Sequence, residues 1–294
     1  MSETEDLEFI DTHVHFFDFS LVDQGLRWSW LEPGAAHPVL GNIDGMKSQR
    51  YTAWEFVGES RFNNVSRAVH VQAALGTEDP VKETQWLQAM ADEQGLPQAI
   101  VADASLQDPN VGEVLERHSQ YANMRGIRDF AEGDYLVDPA FERGYAQLAT
   151  YGWVYDLDTE WPHFHKARAL ADRHPDTIMV VDHAGFPRER TDEYFANWRA
   201  ALQDLRGAPN IVMKISGLGM CDQRWTLDSW RPWVHECLEA FGPDRAIFGT
   251  NWPLDRLFSG YTDVVRAYRA LIADLSVDEQ RQLLSENAAT LFRI

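Results

Sequence analysis

Residues 9–18 read Phe9-Ile-Asp-Thr-His13-Val-His15-Phe-Phe-Asp18, and this stretch decides how the rest of the chain is read. Phe9–Val14 is a short strand-like run that delivers two histidines at its end. Seven further short runs follow: Ala68–Ala73, Ala99–Ala104, Met124–Phe130, Trp153–Leu157, Ile178–Asp182, Ile211–Ile215 and Ala246–Gly249. Most are rich in Val, Ile and aromatics, as strands buried on both faces of a parallel sheet must be. Their starts lie roughly 25–60 residues apart, room for a crossover helix between each pair.

The intervening segments carry helix signals. Glu78–Gln94 places Val81, Trp86, Leu87 and Met90 at helical spacing. Asp108-Pro109 and Asp138-Pro139 each read as an N-cap followed by Pro at the first helical position. Pro162–His174 has an apolar stripe of Phe164, Ala167, Leu170 and Ala171, and Ser276 with Glu279 forms a capping box. Eight strands alternating with helices in 294 residues predict an α/β fold, a single (β/α)8 barrel spanning 1–294. The competitor, an open doubly wound sheet, usually begins with a glycine-rich phosphate turn, and the chain has no such turn.

In such a barrel the chemistry sits where strands end. The run ends carry Asp11, His13 and His15; Gln72; Asp103; Arg125, Arg128 and Asp129; Asp156 and Asp158; Asp182 and His183; Lys214 and Ser216; and Asn251. Strand alternation points His13 and His15 the same way, with Asp11 one step deeper. Two imidazoles aimed into a barrel mouth can hold one divalent ion. The same alternation turns Asp182 away from the face of His183.

Global properties narrow the partners. Lys plus Arg total 26 against 46 Asp plus Glu, a net charge of −20. That balance excludes a phosphate-tracking nucleic-acid protein and disfavours an anionic membrane surface. Two cysteines, Cys221 and Cys237, make no disulfide framework and suggest reduced thiols in a cytoplasmic protein. No apolar leader precedes Phe9, and no run approaches the ~20 apolar residues of a membrane span. Residues 17–64 form an insert far longer than an ordinary βα loop and contain Trp28, Trp30 and Trp54. They suit either an aromatic lid or packing onto the barrel shoulder.

The order of these blocks resembles the amidohydrolase superfamily, in particular its amidohydrolase-related branch of small lactonases. That branch includes 2-pyrone-4,6-dicarboxylate lactonase, fuconolactonase and sulfomuconolactone hydrolase. The resemblance runs nearly end to end, through Asp11–His15, Val71–Ala73, Met124–Arg128, Tyr155–Leu157, Val181–Pro187, Met213–Leu218, Phe248–Pro253 and Glu286–Phe292. It implies that His13, His15 and His183 hold one divalent metal ion, zinc by preference, or polarise a scissile carbonyl. It implies that Arg125 and Arg128 bind an anionic group of a small substrate, with a rim ion pair to Asp129 as the alternative for either arginine. Lys214 would bind substrate, or else form a structural ion pair. Trp252 and Tyr155 are candidates for the substrate wall.

One position departs from the superfamily. Its usual eighth-strand aspartate is replaced by Asn251, which can orient water but cannot deprotonate it. Asp255, four residues on, is the substitute base, or else a solvated loop acid or helix cap. The branch holds metal-dependent and metal-independent lactonases, so both routes remain. The expectation is hydrolysis of a small anionic lactone. A decarboxylase of the same superfamily and a non-catalytic anion-binding barrel are the rivals. Barrels of this kind often pair, so a homo-oligomer is compatible with the sequence.

Overall fold

A computed structural model describes residues 7–294. Eight parallel strands form one sheet in chain order. They are β1 (Phe9–Val14), β2 (Val65–Val71), β3 (Ala99–Asp103), β4 (Met124–Arg128), β5 (Val154–Leu157), β6 (Met179–Val181), β7 (Ile211–Ile215) and β8 (Ala246–Phe248). The sheet curls until its edges meet: the Thr12 hydroxyl donates to Phe248 O at 2.7 Å, and His15 N–H donates to Trp252 O at 2.8 Å. Helices between the strands complete a (β/α)8 barrel. The spans of β1 and β7 match the sequence expectation, whereas β2 starts earlier, at Val65, and ends before Gln72.

The core has two layers. Ile10, Val69, Val71, Val101, Val180 and Ile247 fill the barrel with Ala288 and Phe292, so the C-terminal helix Asn287–Phe292 plugs one end. A larger cluster seals strands against helices. Asp138 caps its helix as expected, accepting from Ala140 N–H at 2.8 Å. Asp108 does not: it accepts from Asn110 N–H at 2.7 Å in a turn, and the helix begins only at Val111. The Ser276–Glu279 capping box is present. Among the described residues, no helix is long and apolar enough to cross a membrane.

The insert has structure of its own. Phe17–Asp18 pairs antiparallel with Arg50–Tyr51, and a helix follows at Ala53–Ser60. Glu59 of that helix accepts from the Tyr51 hydroxyl, from Trp252 Nε1 at 2.6 Å and from Arg256 Nη2 at 2.8 Å. The insert is thereby tied to the loop after β8. Trp28 is fully buried, as the packing reading expects, while Trp54 is exposed.

Candidate active site

The open end of the barrel gathers the polar ends of β1, β4, β6 and β7. His13 and His15 approach each other through Nε2 at 3.2 Å, and His15 Nδ1 meets Val71 O at 2.9 Å. A carbonyl only accepts, so His15 carries its proton on Nδ1 and leaves Nε2 as a lone pair. The rings of His13 and His183 stand 4.5 Å apart, and His183 Nδ1 pairs with Ser216 Oγ at 2.9 Å. Gly217 permits this approach, since a Cβ there would stand 2.5 Å from His183 Nδ1. Burial pushes all three imidazoles down, His183 to about 3, so they are neutral.

Asp182 lies at the centre of the site, contrary to the alternation argument. The strand ends at Val181, and His183 and Ala184 take left-handed backbone angles (φ 56° and 53°), so the period of two no longer applies. Its carboxylate stands 3.6 Å from His13 Nδ1, 3.0 Å from Lys214 Nζ and 3.6 Å from Arg128 Nη1. Burial opposes its charge, but the Lys214 ammonium above all holds it well below the usual carboxylate range. Lys214 also meets Asp156 at 2.6 Å, so it lies in a buried ion pair. Asp11, expected on the histidine face, turns toward β8 instead. It accepts from Thr250 N–H at 2.8 Å, the Thr250 hydroxyl at 2.6 Å and the Tyr261 hydroxyl at 2.9 Å.

A cavity of about 730 Å³ opens above these groups. His15, Arg128, His183 and Asn251 line its polar side, and Phe130, Phe186, Met220 and Leu254 its apolar side. The insert contributes Trp30 and His37 to the wall. Asn251 Nδ2 donates to Asp255 Oδ1 at 3.2 Å. Asp255 is buried behind that amide and does not line the cavity; burial pushes it up to about 8. The carboxylate on the wall is Asp158, pushed up to about 6 by burial despite Arg128 nearby.

Three residues named from the sequence lie elsewhere. Arg125, the second residue of β4, lies at the opposite end of the barrel, where Nε donates to Phe292 O at 2.6 Å. Tyr155 points into the helix layer, its ring 5.4 Å from Tyr145 and 5.6 Å from Phe141. Trp252 packs edge-on against Tyr261 and is committed to Glu59. The roles of Asp158 and Asp182 had only their strand-end positions as a signal, and His37 had none.

A family model described as amidohydrolase matches residues 10–294. The chain belongs to the amidohydrolase family. This amidohydrolase is 35% identical to the uncharacterized protein y4mH of Sinorhizobium fredii, over 98% of the chain and 99% of that protein. It is 29% identical to an L-fucono-1,5-lactonase of Burkholderia multivorans, over 97% of the chain and 96% of the relative. The fold is similar to a crystal structure of an amidohydrolase from Burkholderia multivorans with bound zinc (TM-score 0.82, 27% identity, 98% and 99% coverage).

The donor set of this amidohydrolase fits a metal ion. Nitrogen ligands 2.0–2.1 Å from a tetrahedral ion stand about 3.3 Å apart, close to the His13–His15 spacing. His13, His183 and Asp182 offer ligand atoms within 4.8 Å of one another. His13 Nδ1 is buried without a hydrogen-bond partner. An ion on Nε2 would place the proton on Nδ1, facing Asp182, the outer carboxylate that orients many metal-bound histidines.

Proposed function

We propose that this amidohydrolase hydrolyses a small hydroxylated lactone in the cavity above His15, His183 and Arg128. The observation that carries the reading is the convergence of neutral imidazoles, one buried guanidinium and one carboxylate of raised affinity for protons on a single cavity wall. The similarity to an L-fucono-1,5-lactonase supports a sugar-acid lactone as substrate. An anionic lactone is less well served. Arg125 is spent at the other end of the barrel, Arg128 faces Asp182 and Asp158, and Arg188 is paired with Glu160 at 2.7 Å.

The residues divide the work as follows. Arg128 donates to the ring carbonyl and stabilises the negative charge that gathers on its oxygen as water adds. Asn251 has its amide N–H engaged by Asp255, which leaves Oδ1 to accept from the attacking water and aim it. Asp158 takes the proton of that water, since a carboxyl near 6 is ionised at neutral pH yet still basic. Asp158 returns that proton to the ring oxygen as its bond to the acyl carbon breaks, and the product is the open hydroxy acid. His13, His15 and His183 would hold a divalent ion, with Asp182 orienting His13. Such an ion supplies Lewis-acid charge at the carbonyl and the water.

The test is acid release from a six-membered aldonolactone, followed by pH-stat, with metal content measured by elemental analysis before and after chelation. Turnover that falls at least about a hundredfold in His183→Ala is expected. No turnover of any five- or six-membered lactone would sink the reading. Full activity in metal-free protein would remove the ion and leave the Arg128 and Asp158 roles standing.

A further inference from the structure

The insert forms a small turn at the cavity wall. His37 and Gly41 exchange two backbone hydrogen bonds of 2.8 Å each. Within the turn, the His37 ring accepts through Nδ1 from Val39 N–H at 3.2 Å and from Leu40 N–H at 3.3 Å. A ring nitrogen that accepts carries no proton, so the neutral imidazole bears its hydrogen on Nε2. Burial, with Arg188 and Arg128 nearby, pushes the ring down to about 4 and keeps it neutral. Among the described residues, none accepts from Nε2–H, and His37 lines the cavity beside Pro38 and Val39. The tautomer is thus locked by backbone and the donor is left for something that enters the cavity. Nε2–H is open to the cavity, where an acceptor on a ligand can take the place of water.

We propose that His37 is a specificity-determining residue whose Nε2–H donates to an oxygen substituent of the lactone ring, so that hydroxylated lactones are selected over unsubstituted ones. The inference rests on the lactonase reading and names the part of the substrate that the insert recognises. It assigns the insert a task beyond packing: the chain after β1 is long because it must carry a rigid donor to the outer wall of the site.

The two ring nitrogens separate recognition from turn formation. Asn in place of His37 can accept from the same two backbone N–H groups but offers no donor at the Nε2 position. Gln can reach that position with an amide N–H but does not reproduce the turn. Three variants, His37→Phe, His37→Asn and His37→Gln, are assayed with a six-membered aldonolactone and with δ-valerolactone, which has no hydroxyl. We expect kcat/KM for the aldonolactone to fall about tenfold or more in the Phe and Asn variants and to recover substantially in Gln. The loss on δ-valerolactone should be markedly smaller. Recovery in Asn but not Gln, or equal losses on both lactones, would overturn the assignment. If the wild type turns over neither lactone, the lactonase reading fails separately. Calorimetric binding of the corresponding aldonic acid then decides His37: weaker binding by the Phe variant supports the donor, while equal or absent binding rejects it.

Discussion

The two ends of the barrel use polar side chains in opposite ways. At the end plugged by the C-terminal helix, arginines are consumed by backbone. Arg125 donates to Phe292, Ala122 and Met124 carbonyls, Arg245 to Ala208 O and Arg293 to Gly152 O. At the open end, His13 Nδ1, Gln72 Nε2 and Arg128 Nε are buried without hydrogen-bond partners, and Asp182 is held by the charge of Lys214 at 3.0 Å. Buried groups of that kind are rare because each costs desolvation that no partner returns. Thr177 Oγ1, just before β6, is also buried without a partner, but the unpartnered groups of the open end cluster around one cavity. Arg125 and Arg128 make the contrast within one strand, three residues apart.

Substitutions at the two ends should therefore separate activity from stability. The largest effect belongs to the open end. Asp158→Asn keeps shape and removes the base, and kcat is expected to fall by about 10²–10⁴ with little change in Tm. The same variant tests the pH profile. A carboxyl that must be ionised gives a limb rising through about pH 6, and the residual activity of the variant should lack that limb. Retention of the limb would assign it to another group. At the plugged end, Arg125→Ala should lower stability by about 2 kcal/mol, since hydrogen bonds from a charged donor are lost and carbonyls near the C-terminus are exposed. Its kcat/KM should stay within about twofold of wild type. A large kinetic loss there would break the contrast between the ends.

This contrast also explains what could be read from the sequence. Apolar runs and cap residues report strands and helices directly, so β1 and β7 were legible to the residue. His13 and His15 were legible because a strand has a period of two. The same rule failed for Asp182, where the chain leaves the strand in left-handed turns that no periodicity announces. It also failed for Asp11, because β1 shifts register between Asp11 and Val14. Arg125 and Trp252 were misplaced for another reason. Residue type says that a guanidinium or an indole wants a partner, not whether that partner is Phe292 O, Glu59 or a substrate. His37 sits in an insert with no strand to set its direction, and only the Val39 and Leu40 N–H groups reveal its tautomer.

Asp255 offers the most specific test of the open end. Burial pushes its carboxyl up to about 8, against 3.8 for the free side chain, and Asn251 compensates only in part. The folded protein therefore keeps this proton up to about pH 8, while the unfolded chain releases it near pH 4. Between those values the folded state binds more protons, so its stability falls as pH rises. The slope from this one group is at most about 1.4 kcal/mol per pH unit. Asp255→Asn removes the slope, because an amide does not titrate. It leaves a constant term from repacking against Asn251. The difference in Tm between variant and wild type should therefore move in favour of the variant from pH 5 to pH 8. Other titrating groups are common to both proteins and cancel in that difference. Parallel melting curves across the range would mean that Asp255 is ionised in the folded protein. It would then be a charged neighbour of Asn251 rather than the neutral support that aims the amide.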